Sequence, residues 1–380
     1  MSKKPKILIS IDWFLPGFKA GGPIKSVANI IDQLHGEFDF LVVTSDRDLN
    51  DDKPYAEIET DKWINRGHYS IIYLNPENQS KSTFEDILDE KKPDVLYLNS
   101  LFSMNFSITP LRVNKKRKSP ARAILAPRGM LGEKALSIKP LKKKIFLGAS
   151  RIFNLFKGIT WHASTPQEES EIKEHFGQKA DVRVAMNLAS PVSEIPKSEK
   201  KSGIAEFAFL SRISKKKNLD FFIEQAGQVD KREMAKLIVY GPIEDEEYWS
   251  KCKSLAEKNH VSIDYRGPVN PLEIKDRLAQ HDFYILPTLH ENYGHSIVEA
   301  LGAGLPVMLS VHTPWRGLEQ KQAGWDIDLN ETGQWQRTIS RCIEMDDEEY
   351  QQLTAGAWEF AREITSDPEH IQQNIDLFRS

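Results

Sequence analysis

Residues 283–310 read FYILPTLHENYGHSIVEALGAGLPVMLS, and this stretch sets the fold class. The runs at its two ends are short and apolar without interruption, as strands buried on both faces are. A polar loop and a helical segment lie between them. A strand, a helix and a second strand in succession form the repeating unit of a parallel sheet covered by helices, so the stretch predicts an α/β fold.

The same alternation of short apolar runs and amphipathic stretches continues along the rest of the chain. Helical spacing is clear at 23–35 and 166–176. The tail from about residue 346 predicts helix, with a break near Ser366-Asp367-Pro368. The predicted strands are 6–11, 38–44, 70–74, 94–99, 122–126, 159–163 and 182–185 in the first half, and 205–210, 235–240, 261–266, 282–286 and 306–309 in the second.

A linker interrupts the alternation at 188–203, where two prolines, four serines and no hydrophobic period occur. A chain of 380 residues has room for two or three domains of about 150 residues each. The sequence therefore predicts two doubly wound, Rossmann-like domains at 1–187 and 188–362. Open sheets of this kind bind ligands at the carboxyl ends of their strands, so we expect a central cleft there.

Composition argues against several other classes of protein. Hydrophobic residues make up 40% and charged residues 28%, which is ordinary for a folded chain and argues against disorder. No apolar run approaches the ~18 residues of a membrane span, and the first residues contain no signal-peptide core. Cys252 and Cys342 form no CxxC pair, which argues against a disulfide scaffold or a zinc site. We therefore expect a cytoplasmic protein.

The net charge of −4 conceals a strongly basic segment at 101–160. This segment contains 14 lysines and arginines and one acid, Glu133, so its charge is +13 and the rest of the chain carries −17. One interpretation is a solvated helix face and loop, and the other is an electrostatic dock for an anionic membrane surface or substrate. Its phenylalanines have helical spacing rather than the arrangement of a stacking platform, so no nucleic acid partner is expected.

Two loops have features that suit an anion. Gly21-Gly22 stand before a helix with Pro23 in its first turn, where paired glycines let backbone amides approach an anion. Arg212 and Lys217 follow the strand at 205–210, and two cations at such a point can clamp a diphosphate. A plain turn and a solvated basic loop are the alternative interpretations.

The loop within 283–310 is the strongest local signal for function. Glu291 lies in the loop and Glu299 in the helix that follows, so both carboxylates can face one cleft. Asn292, Tyr293 and Gly294 form a turn whose amides point along the helix start, ready for an anion. A capping carboxylate alone would explain Glu291 but not the whole stretch.

This stretch resembles the E-x7-E signature of retaining nucleotide-sugar glycosyltransferases with the GT-B fold, glycosyltransferase family 4. The resemblance extends, in the family's order, over nearly the whole chain. It implies two Rossmann-like domains facing a central cleft, with a C-terminal helix, about 363–380, that crosses back to the N-terminal domain. The other matching segments are Gly21-Gly22, 126–131, 162–168, Asn187, Arg212 with Lys217, and 313–315.

The resemblance implies a role for each matched residue on the donor side. Glu291 would contact the hydroxyls of the donor sugar, and Glu299 would hold the ribose. Arg212 and Lys217 would neutralise the diphosphate as the glycosidic bond breaks. The remaining donor-binding positions are Asn292, Tyr293, Gly294, His295 and Ser296, with Gly21 and Gly22 beneath the phosphates and Gly241 near the base.

The N-terminal domain departs from the family pattern. Many relatives carry a histidine in the loop near the reacting carbon, where this sequence has Arg128, and Asn99 stands where a histidine is frequent. We expect Arg128 to contact the donor phosphate or an acidic acceptor, with a loop arginine paired to a surface acid as the alternative. His162 is a second candidate for this acceptor or phosphate site, or else a packed histidine.

We expect no metal and no other cofactor. The D-x-D patterns at 46–48 and 326–328 have the form of a motif for Mg²⁺ or Mn²⁺, but the first lies in a run rich in Asp and Asn, which is typical of a turn. Arg212 and Lys217 can meet the charge of the diphosphate without a metal.

The resemblance thus implies an enzyme, a hexosyltransferase that moves a sugar from a UDP- or GDP-sugar to a hydroxyl of a glycan or lipid-linked acceptor, with retention. The basic segment favours a peripheral location on the inner face of the plasma membrane, in the synthesis of cell-surface polysaccharide or lipopolysaccharide. The alternatives are a catalytically silent nucleotide-sugar-binding partner protein and another GT-B enzyme, such as a nucleotide-sugar epimerase.

Overall fold

The computed structural model describes residues 4–136, 140–190, 192 and 199–379. The chain divides into two compact units, of which unit 1 is Met1–Leu188 with Pro368–Ser380 and unit 2 is Ala189–Asp367. Each unit is a largely parallel sheet with helices packed on it, so the predicted α/β class is confirmed. Of the predicted linker, residues 191 and 193–198 lie outside the described residues.

Unit 1 is built on one eight-stranded sheet. Its strands are β1 (Lys6–Ser10), β2 (Asp39–Ser45), β3 (Trp63–Asn65), β4 (Tyr69–Leu74), β5 (Val95–Asn99), β6 (Arg122–Ala126), β7 (Thr160–Ala163) and β8 (Val182–Val184). They lie in the order β3-β4-β2-β1-β5-β6-β7-β8, and only β3 runs antiparallel to its neighbour. The strand order reverses between β1 and β5, which is where a doubly wound sheet opens a crevice for a ligand.

The central strands of this sheet are apolar throughout because helices cover both faces. Ile7, Leu8 and Ile9 of β1 are all fully buried, and complete burial of each such side chain contributes roughly 1.5–3 kcal/mol. The helices of unit 1 are α1 (Gly22–Leu34), α2 (Lys81–Lys91), α3 (Thr109–Lys115), α4 (Glu133–Leu136), α5 (Pro140–Ile152), α6 (Pro166–Phe176) and, from the end of the chain, α13 (Pro368–Arg379).

The C-terminal helix α13 belongs to unit 1, as the resemblance implied. Its Asn374 donates from Nδ2 to the carbonyl of Met186 at 2.8 Å, and Arg122 of β6 donates to the carbonyl of Leu377 at 2.9 Å. The buried ring of Phe378 lies edge-on to Tyr97 at 5.1 Å and to Phe38 at 5.6 Å. The last twelve helical residues therefore complete the core of the unit that contains the start of the chain.

Unit 2 has a six-stranded sheet that is parallel throughout. Its strands are β9 (Ala205–Leu210), β10 (Ala235–Tyr240), β11 (Ser262–Gly267), β12 (Phe283–Leu286), β13 (Val307–Ser310) and β14 (Gly324–Ile327), in the order β11-β10-β9-β12-β13-β14. This is the strand order of a Rossmann fold, with its switch point between β9 and β12. The helices are α7 (Leu219–Ala226), α8 (Glu246–Asn259), α9 (Ile274–Leu278), α10 (His295–Gly302), α11 (Thr332–Glu344) and α12 (Asp347–Ser366).

The sequence pattern identified twelve of these strands and missed β3 and β14. β3 is a three-residue edge strand whose side chains are partly exposed, so it has no apolar run to recognise. β14 contains a glycine and an aspartate, which strands usually avoid. The glycine, Gly324, is needed because a Cβ there would lie 1.9 Å from the carbonyl oxygen of Val307 on the neighbouring strand.

The predicted helix break near Ser366-Asp367-Pro368 is confirmed, and the chain returns to unit 1 there, a few residues after the predicted start at about 363. Helix α12 continues to Ser366, and α13 begins at Pro368, because the ring of Pro368 disfavours helical backbone at Asp367. Among the described residues no helix is both long and apolar enough to span a lipid bilayer.

We predict that Phe378→Ala destabilises unit 1 by about 3–5 kcal/mol, because it leaves a cavity beneath three aromatic rings. Urea denaturation of the full chain measures this as a lower midpoint for the transition of unit 1. Phe153→Ala is the matched control, since that ring is 76% exposed and its loss should change stability by less than about 0.5 kcal/mol. Equal effects of the two substitutions would contradict the docking of α13.

Candidate active site

Unit 2 brings two loops together at its switch point. One loop follows β9 and contains Arg212 and Lys217, and the other follows β12 and contains Glu291. Backbone bonds join them, since the amide of Leu289 donates to the carbonyl of Lys216 at 2.9 Å. Asn218 adds a side-chain bond from Nδ2 to the carbonyl of Pro287 at 3.0 Å. The two loops therefore hold a fixed position relative to each other.

Lys217 and Glu291 form an ion pair between these loops, with Nζ hydrogen-bonded to Oε2. The side chains are only 11% and 15% exposed. Burial raises the pKa of Glu291, but the charge and hydrogen bond of Lys217, together with the charge of Lys216, more than reverse this and leave the pKa below its ordinary value. Glu291 is therefore a carboxylate at neutral pH.

Lys216 is a second cation at this point that sequence reasoning did not single out. Burial lowers the pKa of its amine, and the neighbouring charge of Lys217 lowers it further. The run of three lysines at 215–217, placed directly before a helix, was the available signal.

The turn after Glu291 depends on Gly294. This residue has φ 79° and precedes helix α10, and a Cβ on it would lie 2.7 Å from Cδ1 of Ile297 and 3.1 Å from Cγ of Glu291. A left-handed backbone conformation in a crowded turn favours glycine. The predicted turn at 292–294 is therefore present, and it directs the N-terminus of α10, the positive end of the helix dipole, to the side of Glu291.

Two buried aromatic residues hold this turn from either side. Ser296 Oγ lies 2.7 Å from the hydroxyl of Tyr284, a residue of β12. Trp315 donates from Nε1 to the carbonyl of Tyr293 at 2.7 Å, and their rings are 5.2 Å apart. Tyr284 was not among the predicted site residues, although it carries the only hydroxyl in an otherwise apolar strand. The other predicted positions, Asn292, His295 and Glu299, lie on the same turn and helix.

Arg212 has a different partner from Lys217. Its guanidinium forms a salt bridge with Glu244 at 3.1 Å, and both side chains are about half exposed, at 40% and 47%. Next to it, Gly241 has φ 129°, and a Cβ there would lie 2.0 Å from the carbonyl oxygen of Ser211. Only glycine fits this close approach of the loops after β9 and β10. The role of Glu244 was not anticipated, because it lies 32 residues from Arg212 in the sequence.

Unit 1 contains the other predicted residues. Gly21, with φ 72°, precedes α1, and Gly22 is the first residue of that helix. Asp48 anchors the loop before them, since its Oδ2 accepts from the amides of Phe18 at 2.8 Å and Lys19 at 3.1 Å. Asp46 pairs with Arg47 in unit 1, and Asp326, in unit 2, accepts from the amide of Leu318. No group of acids, histidines and cysteines suited to a metal occurs among the described residues.

Arg128 lies at the carboxyl end of the unit 1 sheet, in a loop where its φ is 57°. Its guanidinium donates to Asn99 Oδ1 at 2.9 and 3.1 Å, to the hydroxyl of Tyr97 at 2.8 Å and to Asn187 Oδ1. All three partners are neutral, and no ion pair to Arg128 occurs among the described residues. The alternative of an arginine paired with a surface acid is therefore wrong.

His162 is a packed histidine. It is fully buried, its Nδ1 lies 2.7 Å from the hydroxyl of Tyr97, and its Nε2 lies 2.8 Å from the carbonyl of Ala185. Burial lowers its pKa to about 3, and the charge of Arg128 acts in the same direction. The imidazole of His162 is therefore neutral. It contacts the hydroxyl of Tyr97, which also accepts a hydrogen bond from Arg128, so His162 positions that arginine rather than contacting a ligand.

Asp12 is a further group in unit 1 that sequence reasoning did not select. It follows β1 at the switch point, and its Oδ1 accepts from Ser103 Oγ at 2.7 Å. Burial raises the pKa of Asp12 to about 6, although the bond from Ser103 acts in the opposite direction. An acid directly after the first strand of an open sheet was the available signal.

Residues 193–359, most of unit 2, match the family model of glycosyl transferases group 1. An uncharacterized glycosyltransferase of Methanocaldococcus jannaschii is 27% identical over 103 residues, which are 27% of this chain and 26% of the relative. The chain thus matches about a quarter of that relative's length.

Solved structures share the fold over almost the whole chain. Sucrose-phosphate synthase from Thermosynechococcus elongatus has a TM-score of 0.71 and 14% identity, with 99% of this chain and 98% of that chain covered. HepE from Anabaena, solved in complex with UDP-glucose, has a TM-score of 0.70 and 14% identity, with 98% of each chain covered. The predicted GT-B fold is confirmed.

We predict that Asp12→Asn removes a pH dependence of stability. Because the folded state raises the pKa of Asp12 from 3.8 to about 6, the wild type loses stability as pH rises through this window. Relative to the variant, its free energy of unfolding should fall by about 2–3 kcal/mol between pH 4 and pH 7. Urea denaturation at both pH values measures this. The exposed Asp39→Asn should leave the wild-type profile unchanged, and an identical profile for Asp12→Asn would refute the assignment.

Proposed function

We propose that the protein transfers a sugar from a nucleotide diphosphate sugar, a UDP- or GDP-sugar, to a hydroxyl of a glycan or lipid-linked acceptor, with retention. The Lys217–Glu291 pair at the switch point of unit 2 carries this proposal, because it sets a cation for a diphosphate beside a carboxylate for sugar hydroxyls. The family match supports the reaction class, and the UDP-glucose in HepE supports this class of donor.

In the proposed reaction, the bond between the anomeric carbon and the diphosphate oxygen breaks, and both its electrons go to the diphosphate. Lys217, Lys216 and Arg212 stabilise this developing charge. The acceptor oxygen forms the new bond on the same face of the sugar and gives its proton to the departing diphosphate. Catalysis then rests on leaving-group stabilisation and positioning, without a covalent intermediate on the protein. The three cations meet the diphosphate charge, so no metal is proposed.

The remaining donor contacts follow from the same arrangement. We assign Glu291 to the sugar hydroxyls and Glu299, within α10, to the ribose. The turn at 292–296 would present its amides to the sugar and phosphates at the helix N-terminus. Gly241 would lie near the base, and the Gly21-Gly22 loop of unit 1 beneath the phosphates.

Arg128 is proposed to bind an anionic group, either a donor phosphate or an acid on the acceptor. Its charge is held by neutral partners only, so it stays available to a ligand. The Asn99 amide beside it supports this role, since its Nδ2 is buried without a hydrogen-bond partner among the described residues. Both groups are donors, and an oxyanion is the ligand that satisfies them.

The setting we propose is the inner face of the plasma membrane, in the synthesis of cell-surface polysaccharide or lipopolysaccharide. The basic segment at 101–160 supports it, because a charge of +13 in a chain of net charge −4 favours an anionic surface. A silent nucleotide-sugar-binding protein would bind the same donors without turnover, so transfer activity separates the two functions.

We predict that UDP or GDP raises the melting temperature, with or without Mg²⁺, and that ADP, the comparison nucleotide, does not. A ligand at ~100 times its Kd stabilises the fold by about 2.7 kcal/mol.

Glu291→Gln should keep this response but slow turnover of the matching nucleotide sugar by about 100-fold or more. Lys217→Met should lose the response. The exposed Glu319→Gln of unit 2 is the control for both. No response to any nucleotide, or full turnover by Glu291→Gln, would refute the proposed donor site.

We predict that Arg128→Gln slows transfer by about 100-fold, while Arg128→Lys retains part of the rate because it keeps the charge. Hydrolysis of the donor, in which water replaces the acceptor, shows which ligand Arg128 binds. In Arg128→Gln, hydrolysis should slow as much as transfer if Arg128 binds the donor phosphate. Hydrolysis should be unchanged if Arg128 binds the acceptor. The lipid extract of the source cells supplies acceptor. Arg112→Gln, an exposed change in α3, is the control. An unchanged rate of transfer would show that Arg128 has only a structural role, through its hydrogen bonds to Tyr97, Asn99 and Asn187.

A further inference from the structure

Helix α5 has an ordinary core face. Leu147 and Ser150 are buried, and Phe146 packs edge-on against Phe102 with ring centroids 5.3 Å apart. Lys143 also lies on this side, where its Nζ donates to the carbonyl of Ala135 at 2.6 Å and sits 5.3 Å from the ring of Phe102. This face fixes how the helix is rotated about its axis on unit 1.

The opposite face of α5 is apolar as well, and it lies in solvent. Leu141, Ile145 and Ile152 are 71%, 62% and 77% exposed, and at 100° per residue they fall within about 40° of arc. Phe153, directly after the helix, is 76% exposed. Seven large apolar side chains are exposed among the described residues, and four of them are in this short segment. Such clustering marks an interaction site rather than ordinary surface.

Cations flank this apolar stripe. Lys142 lies on one side of it and Lys144 and Arg151 on the other, all exposed and without an ion pair among the described residues. The sequence of the helix contains no aspartate or glutamate. An apolar stripe bordered by unpaired cations is the pattern of a helix that lies in the interface of an anionic bilayer.

We propose that the outer face of α5 attaches the protein to an anionic lipid bilayer, with Leu141, Ile145 and Ile152 among the acyl chains and the flanking cations at the lipid headgroups. This attachment rests on the proposed function at the membrane surface and names the residues that make the contact. Charge disfavours a second copy as the occupant, because a symmetric pair would bring the same cations against each other. Anionic headgroups supply the opposite charge.

Co-sedimentation of the full chain with vesicles tests this attachment. Vesicles of phosphatidylcholine with about 30% phosphatidylglycerol should bind the protein more than tenfold better than phosphatidylcholine alone. The triple variant Lys142→Gln, Lys144→Gln, Arg151→Gln should weaken binding by about 100-fold, since each cation near the surface contributes about fivefold. The triple variant Leu141→Gln, Ile145→Gln, Ile152→Gln should lose the binding that the wild type retains in high salt, where only the apolar contact persists.

Matched variants separate this surface from general effects of charge and hydrophobicity. Lys179→Gln, Lys253→Gln and Lys258→Gln together remove three exposed cations elsewhere, and Met104→Gln with Met234→Gln removes exposed apolar groups elsewhere. Both should bind vesicles like the wild type. Equal loss in these controls, equal binding to both kinds of vesicle, or a wild-type dimer that the Leu141 triple variant dissociates would overturn the proposal.

A fluorescent probe gives a second readout that does not depend on removing residues. Cys252 and Cys342 are buried, so a polarity-sensitive dye can be attached selectively to Ile145→Cys, with Asp39→Cys as the exposed control. When anionic vesicles are added, only the emission of the dye at position 145 should shift to shorter wavelength. The absence of this shift would contradict insertion of α5 into the bilayer. The nucleotide response of the same proteins is measured in parallel, because it tests the donor site and not the attachment.

Discussion

The buried ion pair between Lys217 and Glu291 is the constraint on which the candidate site of unit 2 depends. A carboxylate or an ammonium buried alone costs several kcal/mol, so each of these side chains requires the other. The loops after β9 and β12 must therefore meet at the switch point, and the Leu289 and Asn218 bonds hold them there. With Glu291 fixed, the chain reaches α10 only through the left-handed turn at Gly294, which sets the position of the helix N-terminus.

The charged groups of unit 1 at the carboxyl ends of its strands are stabilised in a different way. Arg128 is held by amide and hydroxyl oxygens, which fix its direction without neutralising it. His162 stays neutral because it is buried beside this cation, and Asp12 has a raised pKa because burial disfavours its charge. Unit 2 therefore contains a buried ion pair at its switch point, whereas unit 1 contains a cation whose hydrogen-bond partners are all neutral.

The basic segment at 101–160 is not one uniform patch. Some of its cations bond to backbone carbonyls inside unit 1: Lys115 to Leu155 and Lys157, Lys143 to Ala135, and Arg122 to Leu377. Others on α5 face solvent beside exposed apolar side chains. These bonds hold some of the cations against unit 1 without neutralising them, while the exposed apolar side chains of α5 add an attraction that counting charges does not reveal.

The sequence by itself determined the two α/β units and most of their strands, because strands buried on both faces must be apolar throughout, and it determined the turn at Glu291 and Gly294, because that motif is local. It did not identify β3 or β14, which have no apolar run. Only the tertiary structure decided that Lys217 pairs with Glu291 while Arg212 pairs with Glu244, and that Arg128 has only neutral partners. Such pairings join residues 29 to 74 positions apart, and they follow from how the loops meet in space rather than from any local pattern.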